Sequence, residues 1–232
     1  MEFGKYQKKG AYHWIDIGPH PIKSNPCVKA RYRKCIDLLR GRLSPNKTFR
    51  ILDLGCGDGA LTYLLWKTGY IAQGSDTSSL GIELARKQHA IFGTNCVFKR
   101  CEIDDFEDNY FDGIICSDVI EHVEDPNALI SGIFRTLKAG GVAVLSTPIR
   151  LTEAPLDKEH AIEWWPSEWR KLFSSYGYVE FCESHPVALM EMVNVPYVRV
   201  LINMMSLFMD LFLRKQYWNL FAIQYAVLSK NR

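Results

Sequence analysis

The 232-residue sequence predicts a doubly wound α/β fold: a mostly parallel seven-stranded sheet with an N-terminal helix and a helical insertion before the last strand. Short apolar runs alternate with amphipathic stretches between residues 48 and 150, the pattern of βαβ units whose sheet is buried on both faces. A glycine-rich turn joins the first of these strands to the helix that follows it. The composition, 47% hydrophobic and 23% charged with no repeat or low-complexity tract, suffices for one packed domain spanning 1–232.

In chain order, residues 27–42 read as a helix, because Val28, Tyr32, Cys35, Ile36 and Leu39 recur at helical spacing. Pro26 suits its start, and Gly41 and Pro45 end it. Strand 49–55 then leads through the glycine turn into helix 59–69. Strand 70–76, helix 78–93, strand 95–103 and strand 110–118 follow, then helix 125–141 and strand 142–148. Beyond Pro148 the pattern loosens to a helix at 166–177, a strand at 178–184, an apolar segment at 187–213 and a last strand at 221–230. Two late strands suit an antiparallel edge on an otherwise parallel sheet.

The net charge of +2 conceals an asymmetry: the first fifty residues carry +9 and the rest −7. Such a split suits anionic lipid, nucleic acid or a phosphorylated substrate, or simply a solvated basic helix balancing an acidic body. The opening MEFGKYQKKG lacks the apolar stretch of a signal peptide, which predicts a cytoplasmic protein. The seven cysteines form no CxxC pair and are expected as free thiols.

ILDLGCGDGAL at 51–61 is the most informative stretch. Gly55, Gly57 and Gly59 let the backbone turn tightly and let a ligand approach it, while the following helix offers free N–H groups to an anion. GCGDGA also matches the dinucleotide fingerprint. Asp53 inside the strand end, and the little chain left for a second catalytic domain, argue against a nicotinamide oxidoreductase. Asp76, about twenty residues on, sits where an acid takes ribose hydroxyls, or where it caps the next helix.

DLGCGDG, GSD, CEIDD, FDGIICSDVIEHVEDP and LKAGGVAVLSTP, in that order over residues 48–150, resemble the successive motifs of class I S-adenosylmethionine-dependent methyltransferases, with their Rossmann-like fold. The resemblance implies an N-terminal cap at 1–46, a cofactor-binding core at 47–150 and a substrate or lid part at 151–232. It implies cofactor contacts at Asp53, Gly55, Cys56, Gly57 and Gly59, and at Asp76 and Thr77 for the ribose. Glu102 and Ile103 would flank the adenine, with Asp104 or Asp105 as substitutes, and Ser117 would meet the methionine portion. Arg31 would take the cofactor carboxylate, as would Lys29 or Arg33.

After the fourth strand, SDVIEHVEDP is similar to an element of the ubiquinone-biosynthesis O-methyltransferases and of small-RNA terminal-ribose methyltransferases, with Asp118 in place of their glutamate. That likeness implies Asp118, Glu121 and His122 as catalytic residues, and a divalent metal such as Mg²⁺ held by them with His160. Chemically, methyl transfer is an in-line displacement dominated by alignment, and a hydroxyl acceptor must also lose a proton, to an imidazole or with help from a metal. Trp164, Trp165 and Trp169 read as packing for the late helices or as a substrate wall. Tyr12, His13 and Trp14 either close over the cofactor or pin the amino terminus to the core.

The segment 187–213 is broken by Glu191, Pro196, Arg199 and Asp210 and is too interrupted to span a bilayer. Arg199, Asn203, Ser206 and Asp210 form one narrow polar stripe, and the apolar remainder needs cover from the core, a dimer mate, a lipophilic substrate or a membrane surface. The expected activity is O-methylation of a small or lipophilic acceptor by a cytoplasmic enzyme, with peripheral contact at the inner membrane face or a homodimer through this segment. A nitrogen, carbon or RNA acceptor, a nicotinamide oxidoreductase and a non-catalytic cofactor-binding subunit are the alternatives.

Overall fold

The computed structural model describes residues 4–155, 157, 159–184, 195–208 and 222–231. Its strands are β1 (Arg50–Leu54), β2 (Ile71–Asp76), β3 (Val97–Arg100), β4 (Phe111–Ser117), β5 (Leu137–Pro148), β6 (Tyr178–Ser184) and β7 (Ile223–Ser229). They form one seven-stranded sheet in the order β3-β2-β1-β4-β5-β7-β6. β1 to β5 pair in parallel, and β7 runs antiparallel to both β5 and β6, the edge expected of the two late strands.

Alternate residues of the central strands serve the two faces. Ile51, Ile115, Val144, Tyr225 and Val227 pack under α3 (Pro26–Arg40) and α4 (Ala60–Thr68). Leu52, Ile114, Cys116, Leu145 and Leu228 pack under α6 (Pro126–Thr136) and α7 (Pro166–Leu172), where Trp164 and Trp169 are buried. At about 1.5–3 kcal/mol for each fully buried side chain of this size, both faces contribute to holding the sheet. α5 (Ser79–Ile91) sets Ile82 and Ala85 against Phe98 of β3. All seven cysteines are free thiols.

Local chemistry sets the helix ends. Asn25 accepts from the Cys27 amide to start α3, and Asp125 accepts from the Asn127 and Ala128 amides to start α6. The sequence reading ran α6 on through LKAGG to 141; instead it stops at Thr136, and Leu137 already pairs with Phe111. The Thr136 hydroxyl bonds back to the Gly132 and Ile133 carbonyls, and the Lys230 ammonium donates to the carbonyls of Phe134, Arg135 and Leu137. A cap contributed from the far end of the chain is invisible to local patterning.

Two short helices, α1 (Lys5–Lys9) and α2 (Tyr12–Ile17), precede α3. Of the apolar segment expected at 187–213, residues 195–208 are described and hold α8 (Pro196–Phe208); the remainder, including Asp210, and the side chain of Ser206 lie outside the described residues. The polar stripe of α8 meets the body at Asn203. Asn203 faces inward and donates to the Pro21 and Ser24 carbonyls, with Ile202 buried beside it. Tyr197, Leu201, Met204, Met205, Leu207 and Phe208 are exposed. Among the described residues no helix is long and apolar enough to cross a membrane.

Candidate active site

The glycine turn follows the end of β1. Gly55, Gly57 and Gly59 all have positive φ, +74°, +53° and +81°, which side chains disfavour. Space is also closed to them. A Cβ on Gly55 would lie 2.2 Å from Val119 Cγ2, and one on Gly57 would lie 1.8 Å from the Tyr6 hydroxyl. The turn is therefore in contact with the segment after β4 on one side and with α1 on the other.

Asp76 fixes the turn to β2. Its carboxylate accepts from the Gly57 amide at 2.8 Å and from the Ser78 amide at 2.7 Å. Ser78, not Asp76, caps α5, so the carboxylate is held at the strand end with acceptor capacity left on both oxygens. Burial raises its pKa, and those two amides oppose the rise. Thr77 is exposed beside it, its carbonyl accepting from Arg100.

Other expected cofactor contacts fall into place unevenly. Asp53 is buried with its carboxylate 2.6 Å from the Thr62 hydroxyl, and burial pushes its pKa up to about 7. Its side chain ties β1 to α4 and does not line the turn's open side. The Cys56 side chain also turns inward, against Gly74 and Phe98, so only its backbone belongs to the turn. Glu102 is exposed at the start of a short 3-10 turn over Ile103–Asp105, and its amide donates to Asp105. Ile103 is buried against Gly132 of α6. Ser117, at the end of β4, accepts from the Ser146 hydroxyl at 3.0 Å.

Arg31, expected at the cofactor carboxylate, is buried and pairs with Asp118. Asp118 itself adopts a left-handed backbone, φ +55°, a conformation that Asp tolerates better than most residues.

Beyond Asp118 the chain makes a single 3-10 turn, Ile120–His122. Glu121, His122 and His160 come together there, each offering a ligand atom, all within 4.8 Å of one another. Asp118, expected to join them, lies outside that group. Both Glu121 oxygens are buried with no hydrogen-bond donor in bonding geometry. Burial, then the Asp118 charge, raises the Glu121 pKa well above the carboxylate range, and its own backbone amide and the Arg31 charge only partly oppose this.

Two partners that the sequence reading missed hold the imidazoles. His122 Nδ1 lies 2.8 Å from the Glu159 carbonyl, which only accepts, so the proton is on Nδ1 and the lone pair on Nε2. Burial lowers the His122 pKa, which favours that neutral form. His160 Nδ1 lies 2.6 Å from Oε1 of the buried Glu163. Glu163 stands three residues after His160, a spacing visible in the sequence. Glu159 acts through its backbone, which no side-chain pattern reveals.

The amino-terminal aromatics pack over the turn. The His13 amide donates to Asp58 at 2.9 Å, and the Trp14 indole donates to the Asp58 carbonyl at 2.7 Å. Trp14 stacks on Phe92, so it pins α2 to the body. Tyr6, unremarked in the sequence, is the residue that lies over Gly57, while Lys5 bridges Asp157 and Glu159.

A methyltransferase-domain family profile matches residues 45–195. A ubiquinone biosynthesis O-methyltransferase of Pasteurella multocida is 28% identical over 218 residues, covering 85% of this chain and 87% of the relative. One of Actinobacillus pleuropneumoniae is 30% identical over 162 residues, 66% of each chain. The fold is that of phosphoethanolamine N-methyltransferase 2 of Haemonchus contortus, solved with S-adenosyl-L-methionine (17% identity, TM-score 0.69, 100% of this chain and 60% of that one). It is likewise that of a SAM-dependent methyltransferase from Archaeoglobus fulgidus (18% identity, TM-score 0.61, 89% of this chain and 95% of that one). With the glycine turn, the ribose-side acid and this match along more than half its length, the chain belongs to the methyltransferase-domain family and is an S-adenosylmethionine-dependent methyltransferase of class I.

Proposed function

We propose that the enzyme methylates an acceptor hydroxyl at the end of β4, with His122 as the base. The observation that carries this reading is the imidazole of His122, its Nδ1 tied to the Glu159 carbonyl, on the segment whose Val119 abuts Gly55 of the cofactor turn. In this arrangement the glycine turn would hold S-adenosylmethionine and Asp76 would accept from its ribose hydroxyls. The acceptor oxygen approaches from the His122 side and gives its proton to Nε2. The carbon–oxygen bond forms as the carbon–sulfur bond breaks, leaving S-adenosylhomocysteine. The curated relatives named as O-methyltransferases support oxygen as the nucleophile.

A second reading, favoured by the Glu121 oxygens without donors, replaces the base role of His122: Glu121, His122 and His160 fit a divalent cation, with Nε2 of His122 as a ligand. The carboxylate oxygens lack donors, and each imidazole is oriented through its Nδ1 by a carbonyl or a carboxylate, as metal-ligating histidines are. A cation there would make an acceptor hydroxyl more acidic. The exposed apolar flank of α8 and the basic amino-terminal fifty residues support peripheral membrane contact or self-association. A nucleic-acid partner has no such support.

The test is turnover. The purified enzyme is given S-adenosylmethionine and panels of phenols, aliphatic alcohols and amines, and S-adenosylhomocysteine is quantified. O-methyl products that disappear in His122→Ala are expected; products methylated only on nitrogen would overturn the oxygen assignment. Vesicle pull-down and sedimentation at low and high salt separate membrane contact, which salt weakens, from an apolar dimer, which it does not.

A further inference from the structure

We propose that Arg31 sets the cation preference of this site: by holding Asp118 in an ion pair, it leaves a Glu–His–His donor set that takes a borderline ion such as Zn²⁺ or Co²⁺ in preference to Mg²⁺. The inference rests on the cation reading of Glu121, His122 and His160 and deepens it.

Three observations carry it. First, the cluster consists of one carboxylate and two imidazoles, and Asp118 is not part of it. Second, one oxygen of Asp118 is engaged by Arg31, and its other oxygen, buried without a partner, is not among the converging ligand atoms. Its left-handed backbone, φ +55°, accompanies a carboxylate paired with the Arg31 guanidinium, and Arg31 is buried on α3. Moving Asp118 to a metal would leave a buried guanidinium without its counter-charge, which is strongly unfavourable. Third, both imidazoles are oriented by their Nδ1 partners, the Glu159 carbonyl and the buried Glu163 carboxylate. Two nitrogen donors are thus positioned beside the Glu121 carboxyl.

Ion chemistry then decides. Mg²⁺ prefers oxygen ligands in near-ideal octahedral geometry and gives up its water reluctantly. Imidazole suits zinc, iron, nickel and copper, and two histidines with one carboxylate leave positions open for an acceptor. A second carboxylate would move the balance toward Mg²⁺, and Arg31 withholds it.

Calorimetric titration of the metal-free full-length chain with MgCl₂, CoCl₂ and ZnCl₂, with the visible spectrum of the Co²⁺ form as a second readout, tests this. Co²⁺ and Zn²⁺ are expected to bind about a hundredfold more tightly than Mg²⁺. His160→Ala is expected to lower Co²⁺ affinity more than about tenfold and to change its spectrum. Asp118→Asn is expected to leave both within about twofold. The paired variant Arg31→Met/Asp118→Asn covers the case in which the single change strands the guanidinium and unfolds the protein. If Asp118→Asn or the paired variant weakens Co²⁺ binding as much as His160→Ala does, Asp118 is a ligand and this inference fails while the cation site stands. Mg²⁺ binding as tightly as Co²⁺ has the same consequence. If none of the three ions binds the wild-type chain, the cation reading fails and takes this inference with it.

Discussion

Asp76 offers the sharpest test of how the fold makes the cofactor site, because one carboxylate serves the turn and the ligand at once. It receives the Gly57 and Ser78 amides at 2.8 and 2.7 Å, and its remaining lone pairs are the acceptors proposed for the ribose hydroxyls. Asp76→Asn keeps the shape but presents one oxygen and one NH₂ group, so one of the two amides loses its acceptor. A part-buried donor left unpaired costs about 1–3 kcal/mol. For a chain of this size 1 kcal/mol corresponds to about 2–4 °C, so the melting temperature should drop by about 4–8 °C for a loss near the middle of that range. Asp76→Ala removes both acceptors but also a carboxylate that burial disfavours, which limits the further loss of stability. Affinity separates the variants more clearly. Losing a charged acceptor for sugar hydroxyls costs about 1.5–3 kcal/mol, roughly a 10- to 150-fold loss. Alanine should show the full loss and asparagine only part of it. Calorimetry with S-adenosylhomocysteine, run beside thermal melts, reads both quantities. If Asp76→Ala melts lower yet binds S-adenosylhomocysteine as tightly as wild type, the carboxylate only braces the turn and the ribose assignment is refuted.

Other predictions follow from the same geometry. His122→Ala should reduce turnover by about a hundredfold or more while leaving S-adenosylhomocysteine affinity within about twofold, measured by steady-state kinetics and calorimetry on one preparation. Burial and the nearby His160 both lower the His122 pKa, so the base stays unprotonated further into acid than an ordinary imidazole would. The acid limb of the kcat profile should therefore lie below pH 6.5 and move up in His160→Gln; a limb at or above 6.5 in the wild type would contradict the assignment. Gly57→Ala places a methyl group 1.8 Å from the Tyr6 hydroxyl at φ +53°. With about 1–2 kcal/mol of backbone strain added to displacement of α1, both melting temperature and cofactor affinity should fall. Trp169→Ala empties a fully buried site and should cost about 3–5 kcal/mol in denaturant unfolding, whereas Trp169→Phe should cost less, since the indole N–H has no acceptor to lose.

Periodicity and turn chemistry made the core of the fold legible. Strands buried on both faces read as continuous apolar runs, and the glycines of the turn were recognisable because positive φ and closed space leave no other residue. Asp76 was legible because it ends a strand about twenty residues after the turn; Glu121, His122 and His160 were expected from the family resemblance, and the structure brings those three together. What failed depended on contacts between distant segments. The polar stripe of α8 was legible but its partners were not: Asn203 is satisfied by carbonyls of Pro21 and Ser24, some 180 residues away in sequence. Arg31 and Asp118 were each assigned a ligand, and their pairing with one another, between α3 and the residue after β4, has no local signature. Lys230 ending α6, and Tyr6 over Gly57, likewise have no local signature.

The placement of β7 governs how the molecule is assembled. It is synthesised after β6 but lies between β5 and β6, pairing with both along its length. While the ribosome is still making residues 223–229, the inner edge of β5 and all of β6 have no strand partner, and open edges of this kind are where chains stick to one another. Until β7 inserts, both of these edges are open to other chains. Insertion of β7 closes that gap and at the same moment delivers Lys230 to the end of α6, so β7 acts as the keystone of the sheet.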